Sequence, residues 1–146
     1  MTDNHLSTLQ KEWVTLQNQY DNYEKFSLVI KLVNVVVTTW LIFALGVGYW
    51  ALFVCAALWL QDGIWKTFQS RMATRIESVE KAIGQILSGE SPEKLEVQGM
   101  QFNIQWAASR PGVVGLVAEY IKQSLKPTIA YPHVILMIIA ADKLYF

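Results

Sequence analysis

Polar side chains interrupt an apolar stretch that covers residues 26–65. Lys31, Asn34 and Thr38 follow one another at intervals of three and four positions, so a helix carries them on one face. Asp62 lies near the far end of the same stretch. Such side chains are costly in lipid, and they form pairs or line functional pathways. Two interpretations follow: an intramembrane ion pair between Lys31 and Asp62, or a polar seam or pore face formed by Lys31, Asn34 and Thr38.

Two glycines favour the ion pair. Gly46 and Gly48 stand near the middle of the stretch, where we predict a turn between two membrane helices. Lys31 precedes Gly46 by 15 positions. Asp62 follows Gly48 by 14, so the two charges lie at nearly equal depth, about 20 Å from the turn. The pair would mark the cytoplasmic edge of the lipid, whereas the alternative places the seam between subunits around a pore.

The remaining reactive residue types are sparse. The sequence contains no P-loop, GxSxG or HExxH motif, so we predict a non-enzymatic protein with no catalytic, cofactor-binding or metal-ligating residues. Cys55 is the only cysteine, which excludes an intrachain disulfide and a cysteine-based zinc site. We expect His133 to be an interfacial residue, with a metal or proton-relay role as the alternative.

Composition indicates an integral membrane protein. Hydrophobic residues make up 53% of the chain and charged residues only 16%, against roughly 25% in soluble domains. The formal net charge of zero gives no drive towards nucleic acid. The basic residues lie at the ends of the apolar stretch and not at its turn, so the positive-inside rule places the N-terminus in the cytoplasm, with a bacterial inner membrane as the expected location.

The periodicity predicts one helical hairpin over 1–89. Its parts are a cytoplasmic helix 4–25, membrane helices 26–45 and 48–65, and a cytoplasmic helix 66–88, which Gly89 and Pro92 end. The cytoplasmic parts carry apolar seams that predict an antiparallel coiled-coil-like stalk, with Glu12 and Arg75 on the polar faces. The alternative is that each seam lies on lipid or on another subunit. The seams contain Leu6, Leu9, Trp13, Leu16, Tyr20 and Tyr23, and Trp65, Phe68, Met72, Ile76, Val79, Ile83 and Ile86.

Aromatic and small residues have predicted roles in the hairpin, as interface anchors and as a helix-packing face. Aromatic side chains concentrate where membrane helices meet water, and small residues let helices approach closely in lipid. We predict a helix-packing face formed by Gly48, Ala51 and Cys55. The predicted interface anchors are Tyr23, Tyr49, Trp50, Trp59 and Trp65.

Three further segments follow the hairpin. Residues 90–109 read as a linker, in which Leu95, Val97 and the alternating run 100–106 predict a short β-hairpin, with a short helix as the alternative. Residues 110–126 predict an amphipathic helix at the membrane surface or against the stalk. Residues 127–146 predict a third short membrane segment with the C-terminus outside, the alternative being a re-entrant or peripheral segment.

The resulting fold class is an all-α integral membrane protein: an antiparallel transmembrane helical hairpin extended by a stalk, plus an amphipathic helix and a third short membrane segment. A chain with only two or three membrane helices buries little surface within itself. We therefore expect contact with membrane lipid, a homo-oligomer, or docking on a larger membrane protein complex. The predicted function is an interaction scaffold or accessory subunit. The alternative is an oligomeric channel lined by the seam.

Overall fold

A computed structural model describes residues 2–91 and 94–145, which contain six helices and no strand. The prediction of an all-α chain is therefore confirmed for these residues. Pro92, predicted to help end a helix, lies outside them, as do Met1, Glu93 and Phe146. The helices are α1 (Thr2–Phe43), α2 (Gly48–Leu87), α3 (Phe102–Ser109), α4 (Val113–Ser124), α5 (Pro127–Ala130) and α6 (His133–Tyr145).

The four helical segments predicted before residue 89 form two continuous helices. No glycine or proline interrupts residues 2–43, so α1 has no local reason to end before Phe43. Gly46 adopts a positive φ of 65° between α1 and α2, and Gly89 adopts a φ of 96° after α2. Both angles lie in the left-handed region, which glycine enters without steric cost. These two glycines therefore allow the chain to turn after each long helix.

The described residues divide into two compact units. Unit 1 draws on residues 1–22 and 69–111, and unit 2 on residues 23–68 and 112–146. The core of unit 1 comes from the predicted seams: Leu9 and Val79 are fully buried and pack with Ala82 and Ile86. Residues 95 and 97, which follow α2, pack against this core. In unit 2, a smaller apolar cluster joins Ile42, Ala51 and Ala140.

The β-hairpin predicted within 95–106 is wrong, because residues 102–109 form α3. The alternation of apolar residues in this run also suits a helix, in which Phe102 and Trp106 share a face one turn apart. Their ring centroids lie 6.0 Å apart. A two-stranded ribbon needs a surface to cover it. The aromatic side chains favour the helix, which turns both towards α2 within unit 1.

One helix among the described residues is long and apolar enough to cross a membrane, and it is α1 over Asn4–Phe43. Core helices of soluble proteins and N-terminal signal sequences share these two properties. The tail is shorter, because α5 ends at Ala130 and α6 begins at His133. Its last helix has 13 residues, which corresponds to about 20 Å.

Candidate functional site

Unit 2 encloses a group of polar side chains that have no exposure to solvent. We call Ser27, Asn34, Thr38, Cys55, Asp62 and His133 the polar cluster. The first three lie on α1, the next two on α2, and His133 is the first residue of α6. Burying a polar group costs free energy unless it is hydrogen-bonded. Each member accordingly has a partner within unit 2.

A chain of hydrogen bonds links the three helices. Thr38 Oγ1 donates to Asn34 Oδ1 at 2.8 Å. Asn34 Nδ2 in turn donates to His133 Nδ1 at 2.5 Å. The opposite ring nitrogen, Nε2, lies 3.3 Å from Asp62 Oδ2. Ser27 Oγ donates to the other carboxylate oxygen, Asp62 Oδ1, at 2.5 Å.

The Lys31 ammonium group reaches the rim of the cluster. Its Nζ lies 3.8 Å from Asp62 Oδ2, and the lysine side chain is 18% exposed. The same nitrogen donates to the backbone carbonyl of Thr128 at 2.9 Å. Lys31 therefore lies beside the predicted partner, but its shorter contact is with the segment that carries α5.

The predicted polar seam turns inward in this chain. Asn34 and Thr38 are fully buried and bond to each other. His133 at the start of α6 lies directly against Asn34. The remaining seam residue, Lys31, is the one that reaches solvent. The seam thus faces other helices of the same chain in the described residues.

The predicted packing face contacts both neighbouring helices. Cys55 Sγ donates to the His133 carbonyl at 3.5 Å, and Asn34 Nδ2 lies 3.4 Å from both Cys55 O and Cys55 Sγ. Ala51 packs with residues of α1 and α6. At Gly48, a side-chain Cβ would lie only 2.8 Å from Leu144 Cδ2 of α6. Small side chains therefore allow α6 to approach α2 along this face.

The five predicted anchors lie in three different settings. Tyr49 and Trp50 are exposed beside the turn. Tyr23 stacks on Trp65 with ring centroids 4.7 Å apart. Trp59 points inward, where Nε1 donates to the Ser124 carbonyl at 2.9 Å and the indole lies nearly parallel to the His133 ring at 6.3 Å. Trp59 is thus a packing residue of unit 2.

Sequence reasoning missed several participants. His133, expected to be an interfacial residue, is fully buried within unit 2. The backbone carbonyls of Thr128 and Ser124, and the hydroxyl of Ser27, also supply partners that were not predicted. The available signal for His133 was a histidine at the first position of an apolar helix, next to Pro132. That pattern does not indicate which residues His133 contacts.

A second buried polar group lies in unit 1. Arg75 and Glu12 form a bidentate ion pair, with Nε–Oε1 at 2.8 Å and Nη2–Oε2 at 3.1 Å. Arg75 also donates to Gln105 Oε1 and to the Gln98 carbonyl. The Met100 amide donates to Glu12 Oε2 at 2.7 Å. Both charges were predicted on polar outer faces, and each is instead buried because the segment after α2 folds over them.

The chemistry available to the polar cluster is limited by its geometry. In a nucleophilic triad the histidine contacts the hydroxyl, and the carboxylate orients the histidine. Here the Asp62 carboxylate stands between Ser27 and His133, so the hydroxyl contacts the carboxylate and not the histidine, and the order of a triad is not met. Within residues 2–91 and 94–145, no group of three His, Cys, Asp or Glu side chains is arranged to hold a metal ion. Comparison with protein-family models, curated proteins and solved structures found no match.

Proposed function

We propose that this chain is an integral membrane protein whose unit 2 lies in the bilayer, and that it serves as a non-enzymatic scaffold or accessory subunit. One observation carries the proposal: the polarity of unit 2 is inverted. Asp62, Asn34 and His133 are fully buried, whereas Val36, Phe43 and Phe53 are each 66% exposed. An apolar surface over a polar interior is unfavourable in water and favourable in hydrocarbon.

Helix lengths support a three-segment arrangement. Residues 31–45 and 48–62 form the arms of an antiparallel hairpin, and α6 begins beside the polar cluster and ends beside Gly48. Each segment spans about 20 Å by helix rise. The hydrocarbon core is about 30 Å thick. Residues 26–30, 63–68 and α5 supply the remaining length, with the N-terminus in the cytoplasm and the hairpin turn outside.

The polar cluster favours a structural role for these residues rather than the lining of a pore. Interhelical hydrogen bonds stabilise helix packing in lipid, where no hydrophobic effect drives helices together. A pore face requires side chains that reach water. Asn34 and Thr38 instead satisfy one another and His133. The channel alternative would need α6 to move away from this face when subunits assemble.

Membrane insertion is tested by fractionation and labelling in a bacterial host. The full chain is expected in the membrane pellet after alkaline carbonate treatment. In a Cys55→Ala background, Val47→Cys should react with a membrane-impermeant maleimide in intact cells, while Ser7→Cys should react only after permeabilisation. Recovery in the soluble fraction, or equal labelling of the two positions in intact cells, would contradict the proposed insertion and topology.

The scaffold role is tested by the oligomeric state of the protein, and by any bound partner, in native lipid discs. A homo-oligomer or a stoichiometric membrane-protein partner is expected, and neither Asn34→Ala nor Lys31→Gln should produce ion conductance changes in planar bilayers. A monomer with no partner would contradict the scaffold proposal. A conductance that depends on Asn34 would favour the channel.

A further inference from the structure

The helix α4 carries its apolar side chains on the outside of unit 2. With 3.6 residues per turn, five of them fall within an arc of about 120°. We call this arc the α4 apolar face, and each of its residues is 49% exposed or more: Val113, Val114, Val117, Ile121 and Leu125. We propose that α4 binds anionic phospholipid, with this face against the acyl chains and two neighbouring lysines against the headgroups.

Polar side chains attach α4 to the rest of unit 2. Gln123 and Ser124 are its buried residues. Trp59 Nε1 of α2 donates to the Ser124 carbonyl at 2.9 Å. Gly63 of α2 leaves room for the Ser124 hydroxyl, because a Cβ at that position would overlap it. These contacts fix which side of α4 faces the protein, and they leave the α4 apolar face outside.

The surface that covers the α4 apolar face is identified by its neighbours in unit 2. Val36, Phe43 and Phe53 of the same unit are also exposed, and the proposed insertion places them in hydrocarbon. An outward apolar helix face on such a unit is favourable against lipid and unfavourable in water. The inference therefore rests on the proposed insertion of unit 2, and it adds the class of lipid that the chain selects.

Two lysines beside this face have charges that no protein group balances. Lys122 lies in the last turn of α4, and Lys126 is the N-cap residue of α5. Both are exposed, and neither ammonium group forms an ion pair or hydrogen bond with another residue that the structure describes. The acidic residue of α4, Glu119, lies about 180° around the helix from the centre of the α4 apolar face. The charge beside the lipid-facing side is therefore positive.

The depth of the two lysines suits the headgroup region. Gly63, which contacts the end of α4, follows Gly48 by 15 positions, or about 22 Å along α2. The hydrocarbon core is about 30 Å thick, and the proposed topology places the hairpin turn outside. Lys122 and Lys126 therefore lie near the cytoplasmic boundary, where a long side chain extends its ammonium group to the headgroups.

Charge complementarity identifies those headgroups as anionic. Each basic residue near the cytoplasmic surface strengthens binding to anionic lipid about fivefold. A zwitterionic headgroup carries no net charge and gains little from either lysine. We therefore expect α4 to select phosphatidylglycerol over phosphatidylcholine.

The experiment uses the full chain in lipid nanodiscs, with a nitrobenzoxadiazole probe on one side of α4. In a Cys55→Ala background, the probe is attached at Ile121→Cys on the α4 apolar face, or at Gly115→Cys, which is exposed on the lysine side. Iodide should quench the probe at position 121 about threefold less than the probe at 115, because hydrocarbon excludes an ion.

Spin-labelled lipids then measure the preference at position 121. In phosphatidylcholine discs, spin-labelled phosphatidylglycerol should show about tenfold higher relative affinity than spin-labelled phosphatidylcholine. Lys122→Gln combined with Lys126→Gln should reduce this preference to about twofold. Lys11→Gln combined with Lys143→Gln removes the same charge from exposed positions on α1 and α6, and should retain the preference. Circular dichroism checks that every variant keeps its helices.

Four results would overturn the inference while membrane insertion stands. They are equal iodide quenching at 115 and 121, a probe at 121 that no spin-labelled lipid quenches because protein covers the face, equal affinity for the two lipids, and equal loss of preference in the two lysine pairs. A chain that alkaline carbonate releases from vesicles would instead contradict the proposed function, and this inference with it.

Discussion

The imidazole nitrogen Nε2 of His133 lies 3.3 Å from Oδ2 of Asp62, and both side chains are sealed from solvent. The opposite ring nitrogen accepts from Asn34. One ring therefore contacts α1 and α2 while belonging to α6. The arrangement of these three helices depends on a contact that only the folded chain provides.

A double-mutant cycle should rank the partners of Asp62. The coupling between His133→Gln and Asp62→Asn is expected to be about 1–3 kcal/mol, because these residues share one buried network. The coupling between Lys31→Met and Asp62→Asn should be below about 1 kcal/mol, because Lys31 lies 3.8 Å away and is partly exposed. Unfolding free energies in mixed micelles measure both. A larger coupling for Lys31 would contradict the geometry.

Two adjacent threonines offer a matched comparison of buried and outward positions. Thr38→Val should lower the free energy of unfolding by about 1–3 kcal/mol, because Asn34 Oδ1 loses its donor in a buried site. Thr39 is exposed, so Thr39→Val should leave stability unchanged or raise it slightly. Thermal unfolding in detergent distinguishes them, and equal losses for the two variants would count against the inward-facing cluster.

Two glycines of α2 should respond in opposite directions to alanine. A Cβ at Gly63 would overlap the Ser124 hydroxyl and lie 3.1 Å from the Tyr120 carbonyl oxygen. Gly63→Ala should therefore displace α4 and cost about 1–3 kcal/mol. Gly84 has open space around it, so Gly84→Ala should raise stability by up to about 1 kcal/mol through helix propensity. Melting temperatures followed by circular dichroism check both signs.

The buried ion pair of unit 1 should contribute far more to the free energy of unfolding than an exposed ion pair does. Glu12→Gln leaves the buried Arg75 charge uncompensated, and the expected loss is about 3 kcal/mol. Hydrogen exchange at the Met100 amide should also accelerate, because the charged acceptor of that amide is lost. Urea unfolding and amide exchange measure the two effects.

Glu77→Gln is the matched control on α2. The hydrogen bond and charge of Lys81 lower the pKa of the Glu77 carboxyl. A lowered folded-state pKa contributes stability above the unfolded value and loses it as the pH falls through the folded value. Because this pair is exposed and screened, the variant should match the parent chain at high salt, and any difference at neutral pH should vanish in acid. Equal effects of the two variants would contradict the burial of Glu12.

The sequence predicts the helices well because their spacing has a direct physical cause. Val79 and Ile86 lie seven positions apart on α2, which is a helical interval, and they pack with Leu9 of α1 in unit 1. The run before Trp106 was ambiguous, because two aromatic residues four positions apart fit a strand or a helix equally. Only the surface offered by α2 decides between them.

The partners of the polar residues could not be read from the sequence. Arg75 and Glu12 look like solvated charges until residues 98–101 cover them. The contact of Lys31 with Thr128 is made to a backbone carbonyl, which every residue possesses, so no residue type signals it. Contacts of this kind, between residues far apart in the sequence, depend on the positions of whole helices rather than on local sequence patterns.

The order in which the chain is synthesised leaves the polar cluster incomplete for a time. Asn34 leaves the ribosome 99 residues before His133, and Asp62 leaves it 71 residues before. During that interval the first two helices must hold an amide and a carboxylate without their imidazole partner. A chain truncated before α6 would therefore leave the Asn34 amide and the Asp62 carboxylate without the imidazole that joins them.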